Sequence, residues 1–173
     1  LEEKILTIPR VEKIKVSRNL PKTLRVEILE KKVLALVPYQ EYFFEVDMDG
    51  QLIAMTQEVQ NYELPILTGI EPLSGSVGEI ILTGEALVNL QQVSEALTDQ
   101  DIAISEINLQ QPDNVIIVTM DGLVVSLGID DYVEKVNILK QIADKLVGRQ
   151  NEGYLDLRAA TAPAFHLIDS KEQ

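Results

Sequence analysis

The chain of 173 residues contains no cysteine. This absence excludes a disulfide framework, a thiolate-bound zinc or iron–sulfur site and a thiol nucleophile. Long apolar runs are also missing, since no stretch approaches the ~18 uninterrupted apolar residues that a membrane-spanning helix needs. Apolar residues nevertheless make up 46% of the chain. This fraction is typical of a chain that folds around a core, and the length suits one ordinary domain or two small ones.

Basic side chains are absent from a long central stretch. No Lys or Arg occurs between Lys32 and Lys135, a run of 102 residues that carries 18 Asp and Glu. Because binding to polyanions requires several Lys or Arg at the phosphates, this stretch is excluded as a nucleic-acid or anionic-lipid surface. Residues 1–36 instead hold nine bases against five acids. This shift predicts a module boundary near residues 33–40. The bases of residues 1–36 either lie near anionic headgroups or, as we favour, are simply solvated on the open face of a small sheet.

The first 30 residues predict a helix followed by a β-hairpin. Residues 1–8 read as a helix that ends before Pro9, because a residue that precedes proline avoids the α region. Apolar and polar residues then alternate over 13–17 and again over 23–28, on either side of a turn at 19–22. This alternation predicts an antiparallel hairpin with one buried and one charged face. A hairpin alone is not stable, so we expect it to pack on the helix.

The rest of the chain predicts a larger module of strands with two helices. Asp49-Gly50 and Asp121-Gly122 each separate two strand-like segments and suit tight hairpin turns. Apolar residues at helical spacing predict helices over 85–97 and 131–147. Alternation slips near Ser105, which indicates a bulge. The predicted strands are 42–48, 51–55, 102–109, 115–120, 123–128 and 154–158.

Three patterns suggest chemistry but lack the residues to complete it. Asp47-Met48-Asp49-Gly50 begins like a calcium loop, but the remaining oxygen ligands are not in register, and a hairpin turn explains it. The glycines at 75, 78 and 84 are not followed by the Lys of a phosphate-binding loop. His166, the only histidine, has no serine on a nucleophile-elbow motif nearby, and we interpret it as an exposed tail side chain. We therefore expect no enzyme activity, no metal and no cofactor.

Five segments resemble the bacterial cell-division family FtsQ, called DivIB in many Gram-positive bacteria. The first two match the end of the family's POTRA domain, and the other three match a hairpin, a Leu-Pro-x-Leu-x-Gly signature and a terminal strand. The matches occur in the family's order and span nearly the whole chain. The segments are 18–28 (RNLPKTLRVEI), 30–35 (EKKVLA), 44–50 (FEVDMDG), 64–69 (LPILTG) and 154–158 (YLDLR).

The resemblance implies an α+β fold in two parts. Residues 1–36 would be the C-terminal part of a POTRA domain, a helix plus a β-hairpin. Residues 37–166 would be the larger, mainly antiparallel β domain with two helices, and 167–173 a polar tail. In the family, a further strand and helix and a single transmembrane helix precede the part matched here, so we expect them upstream of Leu1.

The resemblance also implies a function. Family members are non-enzymatic scaffolds of the division complex, on the extracytoplasmic side of the cell membrane, where they bind FtsB (DivIC) and FtsL during septum formation. A partner strand that adds to an open sheet edge suits a chain without an active site. Two alternatives stay open. One is a POTRA-type module of an outer-membrane assembly or secretion protein that binds unfolded substrate strands, and the other is an acid-rich hydrolase, which only the number of carboxylates favours.

The same resemblance places the partner-binding site along the C-terminal edge, from Tyr154 to Phe165. In the family the Arg equivalent to Arg158 binds acidic partner side chains. Arg158 is also one of only six bases after residue 36. The alternative is that Arg158 pairs internally with one of the many carboxylates, and Pro163 should interrupt strand pairing because it lacks an N–H. The predicted partner-binding residues are Tyr154, Asp156, Arg158, Ala159, Ala160, Thr161, Ala162 and Phe165.

Overall fold

A computed structural model describes residues 2–19, 21–59, 63–98, 100, 102–143, 145–146, 148 and 153–167. The helices are α1 (Glu2–Leu6), α2 (Gly84–Thr98) and α3 (Tyr132–Ala143). The strands are β1 (Val11–Asn19), β2 (Thr23–Glu30), β3 (Val33–Tyr39), β4 (Tyr42–Asp47), β5 (Leu52–Thr56), β6 (Ile66–Thr68), β7 (Ile104–Gln111), β8 (Asn114–Thr119), β9 (Val124–Gly128), β10 (Gly153–Asp156) and β11 (Ala164–Leu167).

The N-terminal hairpin forms a separate two-stranded sheet of β1 and β2. Its antiparallel register sets Val16 opposite Val26, as the alternation predicts. The predicted buried face is wrong, however, because β2 is exposed along its whole length. The helix is too short to cover it: α1 has five residues and lies beside β1, where the Val16 N–H donates to the Glu2 carboxylate at 3.1 Å.

The large sheet has nine strands in the order β11-β10-β9-β8-β7-β6-β3-β4-β5. Five of its eight pairings are antiparallel, and three are parallel: β10 with β9, β7 with β6 and β6 with β3. The expected α+β class with a mainly antiparallel sheet is confirmed. Both predicted glycine turns are present, with Gly50 at φ 75° and Gly122 at φ 90°. The predicted bulge is present too, as a register shift between Ile104 and Glu106.

Helices α2 and α3 contribute, together with the nine-stranded sheet, to one hydrophobic core. The helical spacing of apolar residues predicts which side chains are buried, and Leu90, Val93, Val136 and Leu139 are each 0% exposed. The predicted helix over 85–97 is α2. The predicted helix over 131–147 ends earlier, at Ala143, and the chain then tightens into a turn in which Leu146 N donates to the Ala143 carbonyl.

Three strands have no counterpart in the sequence prediction: β3, β6 and β11. The run from Val33 to Val37 is apolar throughout because Leu34 to Val37 are all buried, so it shows no alternation. Only two residues of the chain, Lys31 and Lys32, lie between the end of β2 in the small sheet and the start of β3 in the large sheet. The division of the chain after residue 36 therefore falls within β3, and as a division into domains it stays a prediction. The start of the predicted tail falls within β11, and residues 168–173 lie outside the described part.

Candidate functional site at the C-terminal sheet edge

The last two strands form the candidate site. In β10, Leu155 is buried, and so is Leu157 just after the strand. Tyr154 and Asp156 alternate with these leucines, so they lie on the opposite face of the strand. β10 pairs in parallel with β9, with Leu155 opposite Val125. The two leucines therefore anchor β10 to the core, while Tyr154 and Asp156 face the other side of the sheet.

β11 folds back along β10 and becomes the outermost strand of the sheet. Phe165 lies opposite Leu155 and packs against the core. His166 lies opposite Tyr154, and their rings are stacked with centroids 4.9 Å apart. His166 is thus a strand residue rather than the tail side chain that we expected. No described strand pairs with the outer side of β11, which makes it the type of edge to which a further strand can add.

Arg158 follows β10 and forms a close ion pair with Asp156. One terminal guanidinium nitrogen lies 2.6 Å from Asp156 Oδ2, and Nε lies 3.1 Å from both carboxylate oxygens. Hydrogen bonding from Arg158 lowers the pKa of Asp156, and the carboxylate in turn raises the pKa of Arg158. The internal pairing that we gave as the alternative for Arg158 is therefore the arrangement found. The Arg158 side chain is 60% exposed and remains accessible to a partner.

The structure divides the eight predicted partner-binding residues between two strands and a turn. Tyr154 and Asp156 lie in β10, and Phe165 lies in β11. Instead of one extended edge, the chain reverses between them, and Ala162 N donates to the Ala159 carbonyl at 3.0 Å. The edge is therefore β11, and binding at the eight residues stays a prediction. The residues of the turn are Ala159, Ala160, Thr161 and Ala162, and Pro163 follows them outside either strand.

A buried cation lies at the end of β9, the strand on the inner side of β10. Lys135 of α3 is 1% exposed, and its ammonium group lies 2.5 Å from a carboxylate oxygen of Asp130. A Cβ atom placed on Gly128 would lie 3.6 Å from both this ammonium and the Cα of Arg158. The Lys135 ammonium and the backbone of Arg158 therefore both lie close to the end of β9. The sequence alone gave no signal of this burial.

The Asp130–Lys135 pair should make stability depend on pH. Hydrogen bonding and charge from Lys135 lower the pKa of Asp130 from its ordinary value of 3.8. Since this pKa is lower in the folded state, the pair stabilises the fold above the unfolded value and ceases to do so as pH falls through the folded value. We expect Asp130→Asn to unfold at lower urea than the wild type at pH 7, with the difference shrinking towards pH 2. Asp131→Asn is the matched control, and an Asp130→Asn deficit of equal size at both pH values would contradict the prediction.

The described residues contain no cluster of three or more carboxylate or imidazole side chains placed to hold a metal ion. Among those residues, no helix has both the length and the apolar character that crossing a membrane requires.

The sequence-based prediction of the site missed Gly153, which allows β11 to pair with β10. A Cβ there would lie 2.0 Å from the His166 carbonyl oxygen, so only glycine lets β11 approach β10. A glycine directly before a predicted strand is a signal of close backbone approach.

Fold and site together define an α+β domain with a mixed sheet and an open C-terminal edge strand, a type of surface that binds extended segments in other proteins. Residues 35–158 match the family model described as "Cell division protein FtsQ/DivIB, C-terminal". The chain belongs to the FtsQ/DivIB family of cell division proteins. The expected family is therefore confirmed.

Two curated relatives show the extent of the similarity. DivIB of Clostridium botulinum (strain Loch Maree / Type A3) is 25% identical over 174 residues, which cover 95% of this chain and 66% of that protein. FtsQ of Geotalea daltonii is 28% identical over 152 residues, which cover 83% of this chain and 54% of that protein. The chain thus spans less than two thirds of the length of either relative.

A solved structure is also similar, the major extracytoplasmic domain of the trans isomer of DivIB from Geobacillus stearothermophilus. It is 23% identical, with a TM-score of 0.44, and the match covers 70% of this chain and 98% of that one.

Proposed function

We propose that this chain is a non-catalytic scaffold of the bacterial division complex. It binds extracytoplasmic segments of FtsB (DivIC) and FtsL during septum formation, and a single transmembrane helix upstream holds it at the cell membrane. The observation that carries the proposal is the open edge of β11 at the end of the nine-stranded sheet. The family match favours this role over the substrate-binding module of an outer-membrane assembly or secretion protein.

The mode of binding that we propose is addition of a partner strand to β11. Main-chain hydrogen bonds supply much of the affinity in such complexes, and side chains beside the edge supply specificity. Arg158 lies directly after Leu157 at the end of β10, the strand that pairs with β11, in a sequence with a large excess of acids, so it selects a partner segment that carries an acidic side chain. Asp156 holds the guanidinium in the free protein and competes with that partner for it.

The proposal is tested by reversing single charges. Arg158→Glu should weaken binding of the extracytoplasmic segment of DivIC/FtsB about tenfold, because it replaces an attractive contact at the edge by a repulsive one. Lys140→Glu makes the same change of charge at an exposed residue in the last turn of α3, outside the two strands of the site, and should leave the affinity within about twofold. Isothermal titration calorimetry gives both affinities, and circular dichroism checks the fold. Equal affinities for the wild type and Arg158→Glu would remove Arg158 from the site.

The ion pair between Asp156 and Arg158 allows a second test, in which the affinity for the partner segment should rise instead of fall. Asp156→Asn keeps an oxygen that accepts the Arg158 N–H, at 3.0 Å in the wild type, but it releases the guanidinium from its charged partner. If Arg158 binds an acidic partner side chain, this variant should bind the same segment more tightly than the wild type. Weaker binding by Asp156→Asn together with unchanged binding by Arg158→Glu would assign the contact to Asp156 instead.

A further inference from the structure

Two close ion pairs connect the small sheet to the large one, and Lys31 also lies 4.0 Å from the exposed carboxylate of Asp49. Lys31 lies in the two-residue link after β2, and its ammonium group lies 2.6 Å from Asp47 Oδ2 and 2.7 Å from Gln51 Oε1. Arg10, at the start of β1, pairs with Glu45 of β4. We call these contacts, Lys31–Asp47 and Arg10–Glu45, the junction pairs.

The Lys31–Asp47 pair is closely fitted and largely removed from solvent. The Asp47 side chain is 3% exposed and that of Lys31 is 21% exposed. Asp47 Oδ1 accepts the backbone N–H groups of Asp49 and Gln51, both at 2.9 Å, which leaves Oδ2 for Lys31. Asp47 is the first residue of the segment that resembles the start of a calcium loop. In the structure it stabilises the β4–β5 turn and binds the ammonium group of Lys31. Removing only one partner of such a pair leaves a buried charge without compensation.

The network extends beyond the two charges. The Lys31 N–H donates to the Arg10 carbonyl at 2.8 Å, so the two basic residues are tied to each other through the backbone. The Gln51 amide that accepts from Lys31 donates on to the Gly78 carbonyl at 2.6 Å. The start of β1, the end of β2, the β4–β5 turn and the loop before α2 therefore meet at one point.

Apolar packing does not take over this role in the described residues. The hydrophobic core cluster draws its side chains from residue 34 onward, and none of the described residues 2–32 belongs to it. The apolar side chains of β2 remain exposed: Leu24, Val26 and Ile28 are 40–51% accessible. Pro9 lies beside Gly78, where an added Cβ would be 3.3 Å from Pro9 Cγ. The other contacts that the structure shows between the two sheets at the junction are polar.

From this geometry we infer that the junction pairs set the angle between the two sheets. Both pairs are needed to keep the small sheet in one direction. Neutralising Lys31 alone therefore lets the hairpin of β1 and β2 move as a unit. Each sheet keeps its own fold, because backbone groups and not the Lys31 and Asp47 side chains join its strands. The motion is a hinge about the link of Lys31 and Lys32.

A change in the angle between the two sheets changes the distance between a spin label on the small sheet and one on α3. Because the chain has no cysteine, Lys15→Cys on β1 and Glu134→Cys on α3 give two unique sites for spin labels in the full chain. Double electron–electron resonance should give one narrow distance distribution for the doubly labelled protein. Lys31→Met should lose this narrow peak and give a broad distribution, whereas Lys32→Met, the same change at the exposed neighbouring residue, should keep it.

A second variant separates hinge motion from local unfolding. Lys31→Met alone leaves the Asp47 charge buried, and this can damage the β4–β5 turn. In Lys31→Met/Asp47→Asn no buried charge is left without its partner, since Asp49, which also loses Lys31, is 79% exposed. The asparagine oxygen still accepts the two backbone N–H groups. We expect its Tm to recover relative to Lys31→Met while the distribution stays broad. A narrow distribution in this double variant, or in Lys31→Met, would overturn the inference.

Discussion

Gly50→Ala should destabilise the protein by about 3–5 kcal/mol, through backbone strain and the loss of two or three backbone hydrogen bonds. Gly50 has φ 75°, and a Cβ there would lie 2.1 Å from the Leu82 carbonyl oxygen and 3.1 Å from the Leu82 carbonyl carbon. Both are backbone atoms, so no side-chain rotation relieves the clash. The two segments would have to separate, although Ile81 N and Leu82 N now both donate to the Gly50 carbonyl.

Gly84→Ala is the matched control for this prediction. Gly84 also has a positive φ, 64°, but nothing lies within 4 Å of the position of its Cβ. It should cost only the conformational penalty, about 1 kcal/mol. Urea denaturation followed by circular dichroism gives both free energies of unfolding. If the two variants lose the same stability, the contact between Gly50 and Leu82 contributes nothing beyond strain.

Gly153→Ala should strongly weaken partner binding at β11 and leave most of the large sheet folded. The added Cβ would lie 2.0 Å from the His166 carbonyl oxygen and 2.8 Å from its carbon, so β11 has to leave β10. β11 has four residues at the end of the sheet, and His166 and Leu167 are exposed, so losing it exposes little of the core. We expect affinity for the DivIC/FtsB segment to fall more than tenfold, because the strand that receives the partner is displaced.

The control and a separate readout keep this prediction independent of the proposed partner. Gly75→Ala adds a methyl group to a loop glycine, with the nearest atoms at 3.9 and 4.0 Å, and should change neither stability nor binding. Hydrogen exchange of residues 164–167 reports the displacement of β11 without any partner. Fast exchange there in Gly153→Ala with wild-type affinity would mean that the partner binds elsewhere.

Local patterns predicted the parts of this fold that local physics determines. Asp49-Gly50 and Asp121-Gly122 specify their hairpins because a glycine at positive φ suits a tight turn. β3 could not be recognised as a strand, because burial removes the alternation that marks a half-exposed strand. β11 has only four residues and depends on β10, so its own sequence carries little signal.

Prediction of the site was limited by contacts between distant residues. The family resemblance located the C-terminal edge, but not the reversal of the chain at Ala159–Ala162. The sequence also could not show that Asp47 binds Lys31, 16 residues earlier, since spacing along the chain does not reveal which charges meet between two sheets. In the same way, Lys135 looks like an ordinary helix-surface residue until the packing of α3 buries it.

The position of the shortest strand bears on the order in which the domain assembles. β6 has three residues and lies in the middle of the nine-stranded sheet, joined to β3 through one residue pair, Leu36 with Ile66. On one side, β3, β4 and β5 follow each other through short turns, and so do β7, β8 and β9 on the other. Each of these two meanders can form from contacts that are local in sequence and therefore cost little loop-closure entropy. We therefore expect the parallel pairing of β6, which joins the two meanders, to form after them. A folding chain would then first hold two smaller sheets, each with an open edge where β6 is to pair.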